Sequence, residues 1–171
     1  FTSGSSGRPK AVVHTIGNHY MSALGSNRNI TLGSGDRWLV TLPFYHIAAI
    51  GILFRSLISG ASVVIEDANL ALCEQIATYA ITHLSIVPTQ LHRLLEHTTE
   101  NQKIQKLKAV LVGGSRCSLK LISQAYNKNI PLHLSFGSTE MASQITTTKP
   151  KTKIEKIGVS GHLLPYREVR I

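Results

Sequence analysis

A chain of 171 residues that is 43% hydrophobic and 16% charged has the make-up of about one globular domain, and wholesale disorder is excluded. Its 18 Lys and Arg against 9 Asp and Glu leave a net charge of +9 before any histidine is counted, which favours anionic partners: phosphates, nucleotides, nucleic acid or acidic lipid. Cys73 and Cys117 are too few for a disulfide framework and read as free thiols of a reducing compartment. The most apolar stretch, Ile47 to Ile58, is broken by Arg55 and Ser56 and falls short of the about 20 apolar residues a membrane span needs.

Short β-branched runs alternate with longer amphipathic ones. Ala11–His14 is strand-like and Gly17–Ile30 has a helical pattern. Leu32-Gly33-Ser34-Gly35-Asp36 is turn chemistry. Arg37–Leu42 reads as a strand stopped by Pro43. His46–Ile58 reads as a helix that is apolar on nearly all faces, with Gly60 as its stop. Ala61–Ile65 is a strand, Leu70–Ala80 a helix, His83–Val87 a strand ending at Pro88, and Thr89–His97 a helix. Leu107–Val112 is a strand running into Gly113-Gly114, Leu119–Lys128 a helix, and Leu132–Phe136 a strand running into Gly137. Ser143–Thr148 reads as a strand of a different, more polar kind. Beyond it Lys149, Lys151, Lys153 and Lys156 crowd a polar stretch, and Gly158, Gly161 and Pro165 precede a strand-like Glu168–Ile171. The first residue is Phe1, with no positive, apolar leader before it, and the last strand stops without a cap. The expectation is therefore a piece of a longer chain: residues 1–148 a partial α/β core, and 149–171 the truncated start of a β-rich segment.

Strands that are each followed by a helix are the signature of right-handed βαβ units, so the fold class is α/β, a mostly parallel sheet with flanking helices. Ligands gather at the carboxyl ends of such strands. Turns beginning at Pro43, Gly113-Gly114-Ser115 and Gly137-Ser138-Thr139-Glu140 sit at those ends. The opening segment, Phe1 to Lys10, packs the hydroxyls of Thr2, Ser3, Ser5 and Ser6, the glycines Gly4 and Gly7 and the cations Arg8 and Lys10 into one loop. Such a loop suits a phosphate, because glycine lets backbone N–H groups approach closely and the side chains add donors. It is not a Walker A loop, since Pro9 precedes Lys10 and no helix follows at once. A flexible Ser/Gly linker is the competing reading.

Single residues are ambiguous at this level. Arg55 is the lone charge in an apolar helix, so it either reaches solvent along its stem or meets an anion. Taken alone, Glu140 reads as a capping carboxylate at a helix N-terminus and His46 as a half-buried helix-end histidine. Lys103, Lys106 and Lys108 read as a solvated cluster rather than a nucleic-acid face, since stacking aromatics are missing around them. Cys73 and Cys117 have no metal-ligand company.

Taken together, the motifs resemble those of the adenylate-forming (AMP-binding) acyl-CoA synthetase family. Thr2-Ser3-Gly4-Ser5-Ser6-Gly7-Arg8-Pro9-Lys10 is similar to that family's Thr-Ser-Gly-Thr-Thr-Gly-x-Pro-Lys phosphate loop, with serines keeping the hydroxyls. Leu42-Pro43-Phe44-Tyr45-His46 resembles its Pro-Leu-Phe-His segment, Gly113-Gly114-Ser115 its Gly-Gly-Ala turn beside adenine, and Phe136-Gly137-Ser138-Thr139-Glu140 its Tyr-Gly-x-Thr-Glu motif. Gly158 to Pro165 resembles its Gly-x-x-Gly-x-Pro-x-Pro segment. The motifs fall in the family's order through nearly the whole chain. Val87–Leu95 and the compact spacing are most similar to the o-succinylbenzoate–CoA ligase branch, although Ala48 and Ala49 replace the Ser-Gly usual after its histidine.

The resemblance implies an ATP-dependent acid–CoA ligase that uses ATP, Mg²⁺ and coenzyme A in the cytoplasm. Its partners would be small molecules, with no nucleic acid and no membrane span. It implies that Thr2, Ser3, Gly4, Ser5, Ser6, Gly7 and Lys10 cradle the β- and γ-phosphates and that Gly113, Gly114, Ser115, Phe136 and Gly137 surround adenine. It also implies that Thr139 donates to the α-phosphate, that Glu140 holds Mg²⁺, and that His46, Arg55 and Ser138 line the acid pocket. A second carboxylate on the acid would supply the anion for Arg55. The absence of an Asp in Phe44-Tyr45-His46 disfavours an amino-acid substrate. The ribose-binding Asp and the catalytic-Lys domain of that family have no counterpart here, so the isolated chain is expected to be inactive. Fatty or aryl acids as substrates, or a basic anion- or nucleic-acid-binding module, are the alternatives.

Overall fold

The computed structural model describes residues 2, 10–97, 104–149, 152 and 161–170. Strands β1 (Arg37–Val40), β2 (Ser62–Ile65), β3 (His83–Ile86), β4 (Ala109–Val112) and β5 (Leu132–Ser138) pair in parallel. Strands β6 (Ser143–Thr147) and β7 (His162–Leu163) extend the sheet antiparallel, giving the order β2-β1-β3-β4-β5-β6-β7. The helices are α1 (Ile16–Asn27), α2 (Ile47–Ser59), α3 (Leu72–Thr78), α4 (Pro88–His97) and α5 (Leu119–Asn127). The mostly parallel sheet with flanking helices is as the sequence suggested, and the polar strand after Ala142 is the first antiparallel one.

Direction of travel decides which face each helix covers. The chain steps from β1 outward to β2, then returns past β1 to β3 and continues to β5. Right-handed crossovers on a path that reverses must lie on opposite faces. Accordingly Ala49 and Ile52 of α2 pack with Trp38, Val40, Ala109 and Leu111, whereas Ile76, Leu91, Leu94, Leu121 and Ile122 of α3 to α5 pack with Leu39, Leu84, Val110 and Val112. The alternation along β1 and β4 is the two-residue period of a strand read through both faces of the sheet. Helix α1 joins the α2 face.

Helix ends follow local chemistry. Thr15 caps α1: its Oγ1 accepts the Asn18 N–H at 3.1 Å while Asn18 Oδ1 accepts the Thr15 N–H at 2.9 Å. Ser118 caps α5, and Gly60 ends α2 at φ 69°, the left-handed conformation glycine takes without penalty. α3 is shorter than the expected Leu70–Ala80. The Asp67 carboxylate holds the Asn69 N–H at 2.9 Å in a turn before the helix, and Ala80 ends the segment at φ 50°. α1 stops at Asn27, short of the expected Ile30.

Two expected strands do not form. Ala11–His14 is irregular, the described residues just before it, Thr2 and Lys10, form an isolated antiparallel bridge with each other, and Val13 is 92% exposed. β-branched residues favour extended backbone, but a strand needs a partner edge, and none pairs here. Residues 168–170 are likewise irregular, and residue 171 lies outside the described residues. Among the described residues no helix is long and apolar enough to cross a membrane.

At the amino ends of the strands, His83 and His133 are buried. His83 Nε2 donates to the Thr31 carbonyl at 3.0 Å and its Nδ1 sits 2.8 Å from Thr82 Oγ1. His133 Nδ1 donates to the Thr148 carbonyl at 3.1 Å. Burial pushes the pKa of both below the ordinary 6.5, partly countered by these carbonyls and, for His83, by Asp36, which is itself ion-paired to Lys108 at 2.7 Å. The folded chain thus binds fewer protons than the unfolded one once pH falls below 6.5, so stability present above that pH is lost as pH drops toward the folded values. Urea midpoints should fall between pH 7.5 and pH 5.5, with a slope of up to about 1.4 kcal/mol per pH unit for each histidine. Equal midpoints would contradict the assignment.

Candidate active site

The carboxyl ends of β1, β3, β4 and β5 open on a cleft of about 220 Å³, placed where the strand order reverses between β1 and β3. That reversal leaves a crevice, because helices leave the two neighbouring strands toward opposite faces. Its floor is Val87, Gly113 and Gly114, one wall is Gly137, Ser138 and Thr139, and Ile47, Ala48 and Arg55 of α2 close it from above.

Arg55 is 1% exposed, so it does not reach solvent along its stem. One terminal nitrogen donates to Ser143 Oγ at 3.2 Å and the guanidinium sits 5.3 Å from the Trp38 ring centre. Its Nε is buried without a partner, and no carboxylate pairs with Arg55 among the described residues. Burial, reinforced by the like charge of Arg167, pushes the Arg55 pKa down to about 10, which leaves it cationic at neutral pH. A buried cation without a counter-ion costs several kcal/mol. It lies at the wall of the cleft, where an anion that entered could pair with it.

The turn between β5 and β6 shapes the opposite wall. The pairing register shifts between Phe136 and Gly137, and a Cβ on Gly137 would collide with the Ser143 carbonyl oxygen, so only glycine fits. The Ala142 N–H closes the turn on the Thr139 carbonyl at 3.0 Å. Ala142 and Ser143 then take φ values of 52° and 99°, conformations that L residues adopt at a cost of order 1–3 kcal/mol each. That backbone carries the Ser143 hydroxyl to Arg55. The turn is gripped from α1 and from the segment before it: Ser22 Oγ donates to the Ala142 carbonyl at 2.6 Å, and His14 Nε2 lies 2.7 Å from the Thr139 carbonyl.

The structure brings Arg55, Gly113, Gly114, Gly137, Ser138 and Thr139 together around the cleft. Glu140 follows Thr139 as an exposed turn residue, and no helix begins there for it to cap. Its carboxylate has no ion-pair partner among the described residues. His46 is the exposed residue before α2, its ring 4.7 Å from that of Tyr45, while Ile47 and Ala48 supply the lining. Ser115 and Phe136 are exposed and do not line the cleft. Thr2 and Lys10 face each other across the bridge that closes the opening segment, with Lys10 exposed. Ser3, Gly4, Ser5, Ser6 and Gly7 lie outside the described residues, as does Gly158. Sequence reading missed Ser85, Ser135, Ser143 and Gln144, which also line the cleft. The one signal for Ser143 and Gln144 was the polarity of a strand otherwise placed to be buried.

The family model described as AMP-binding enzyme matches residues 1–171. The 2-succinylbenzoate–CoA ligase of Bacillus subtilis (strain 168) is 38% identical over 173 residues, which cover 100% of this chain and 35% of that enzyme. The chain thus spans about a third of the length of the curated relatives it matches. Solved structures of the Bacillus subtilis o-succinylbenzoate coenzyme A synthetase, one in complex with ATP and magnesium ion and one with the acyl-adenylate intermediate OSB-AMP, superpose with TM-score 0.87 at 38% identity, covering 95% of this chain and 34% of theirs.

Proposed function

The chain belongs to the AMP-binding enzyme family, and from that premise we propose that it carries the nucleotide- and acid-binding core of an ATP-dependent ligase joining o-succinylbenzoate to coenzyme A. One observation carries the choice of acid: the buried, uncompensated Arg55 at the cleft wall. A dicarboxylic acid can give one carboxylate to Arg55 and Ser143 and present the other to ATP. A fatty acid or a simple aryl acid would leave the guanidinium unpaired.

In this reading an oxygen of the reacting carboxylate attacks the α-phosphorus of ATP, the bond to the β-phosphate oxygen breaks, and pyrophosphate leaves with that electron pair. The thiol of coenzyme A then displaces AMP from the acyl-adenylate. Such displacements depend mainly on positioning and charge neutralisation. The Thr139 hydroxyl donates to the α-phosphate. The opening segment, Thr2 to Lys10 with Ser3, Gly4, Ser5, Ser6 and Gly7, holds the β- and γ-phosphates. Gly113, Gly114 and Ser115 border adenine on one side, with Phe136 and Gly137 on the other. His46 stands at the mouth and Ser138 beside the acid. Mg²⁺ neutralises phosphate charge when bound. The residues present fit it, because a single exposed carboxylate, Glu140, is the donor set expected of an ion that keeps water and takes its other ligands from phosphate. We place the enzyme in the cytoplasm, with part of the +9 charge facing ATP and the acid.

The test is acyl-CoA formation by the full-length ligase that carries this chain, supplied with o-succinylbenzoate, a fatty acid and a monocarboxylic aryl acid. The expected kcat/KM for o-succinylbenzoate exceeds both others by about a hundredfold or more, the scale of a buried charge pair. Equal or greater use of a monocarboxylic acid overturns the reading.

A further inference from the structure

We propose that His14 is a positioning residue for acyl-adenylate formation, holding the Thr139–Glu140 turn by its backbone; this rests on the function proposed above. His14 Nε2 lies 2.7 Å from the Thr139 carbonyl oxygen, across 125 residues of sequence. A carbonyl only accepts, so Nε2 carries the proton and donates. The ring is itself held. It meets His19 edge-on at 5.1 Å between centres, and His19 stacks on Phe54 of α2 at 5.0 Å. Burial, and then His14, push the His19 pKa below its ordinary value.

The turn needs this support. Its closing residues Ala142 and Ser143 sit at positive φ, so local backbone preference opposes the conformation. External bonds reach the carbonyls at both ends, from His14 to Thr139 and from Ser22 to Ala142. Between those two anchors lie Glu140 and Met141. His14 also follows Lys10 closely in sequence, so its bond ties the segment that opens the chain to Thr139, the residue before the one proposed to hold Mg²⁺. Groups that act by orientation lose effect when misplaced by about 1 Å, and a turn with one anchor removed allows that much.

The experiment measures kcat and both KM values in the full-length ligase for His14→Leu, His14→Asn and His14→Gln. Glutamine puts an amide nitrogen near the position of Nε2; asparagine reaches only as far as Nδ1, and leucine has no donor. The expected result is a fall of about tenfold or more in kcat/KM for Mg²⁺-ATP with leucine and asparagine. Glutamine should stay within about threefold of the parent, and KM for o-succinylbenzoate should be unchanged throughout. Parent-like leucine and asparagine variants, a glutamine variant as impaired as they are, or KM for the acid rising in step would each overturn the proposal. Should leucine prevent folding, the asparagine–glutamine contrast decides. A parent enzyme that forms no acyl-adenylate removes the functional reading and this inference together; an active parent with unaffected variants removes only the inference.

Discussion

Arg55→Met is expected to make the protein more stable and the ligase worse. Methionine approximates the length of the arginine stem without the charge. Arg55 is buried, has an unpartnered Nε, and is paired with no carboxylate among the described residues. What it would lose is one bond to the Ser143 hydroxyl and the contact with the Trp38 ring, together about 1–3 kcal/mol. What it would relieve is the desolvation of an unpaired guanidinium and repulsion from Arg167, which is larger at several kcal/mol. The balance should be a gain of about 1–2 kcal/mol, a rise of several degrees in Tm. In the same variant kcat/KM for o-succinylbenzoate should fall by about a hundredfold, because the distal carboxylate would enter the cleft without a counter-charge. A residue kept for packing would instead lose stability on substitution and leave the preference for o-succinylbenzoate unchanged.

Glu140 is expected to behave the other way, with no cost to the fold and a large cost to chemistry. It is exposed in a turn and has no ion-pair partner among the described residues, so Glu140→Ala should change stability by less than about 0.5 kcal/mol. Without a carboxylate to hold the ion against the phosphates, kcat/KM for Mg²⁺-ATP should drop by about 10²–10³. Raising free Mg²⁺ should recover part of it, and the KM for the acid should not move. Thermal melts and kinetics at two Mg²⁺ concentrations check both halves; undiminished use of Mg²⁺-ATP would remove Glu140 from the site.

The contrast between these residues shows what a sequence displays. Arg55 is conspicuous because a charge in the apolar run of α2 is anomalous on any reading. Its environment is not visible, since Ser143 lies 88 residues away and reaches it through a positive φ that nothing in Ala142-Ser143 announces. Strands β1, β3 and β4 and the first half of β5 are legible because each is largely buried through a run of apolar residues leading to Gly or Pro, and β2 because Val63, Val64 and Ile65 are β-branched. Val12 and Val13 carry the same local signal and form no strand, because pairing depends on a free neighbouring edge, a property of the whole sheet. The glycine turns led correctly to the cleft, since the carboxyl ends of parallel strands are where such turns face one another. His14 is as hidden in the sequence as Ser143: each has its informative bond to a residue far along the chain.

The central claim is that Arg55 waits for the second carboxylate of the acid. It is tested most directly by crossing Arg55→Met with removal of that carboxylate from the substrate. The full-length ligase and its variant would each be assayed on o-succinylbenzoate and on the same acid without the distal carboxylate. If the two groups meet, the parent prefers the dicarboxylic acid by about a hundredfold and the variant shows almost no preference. A preference that is equally large in both proteins would place the distal carboxylate elsewhere and contradict the account.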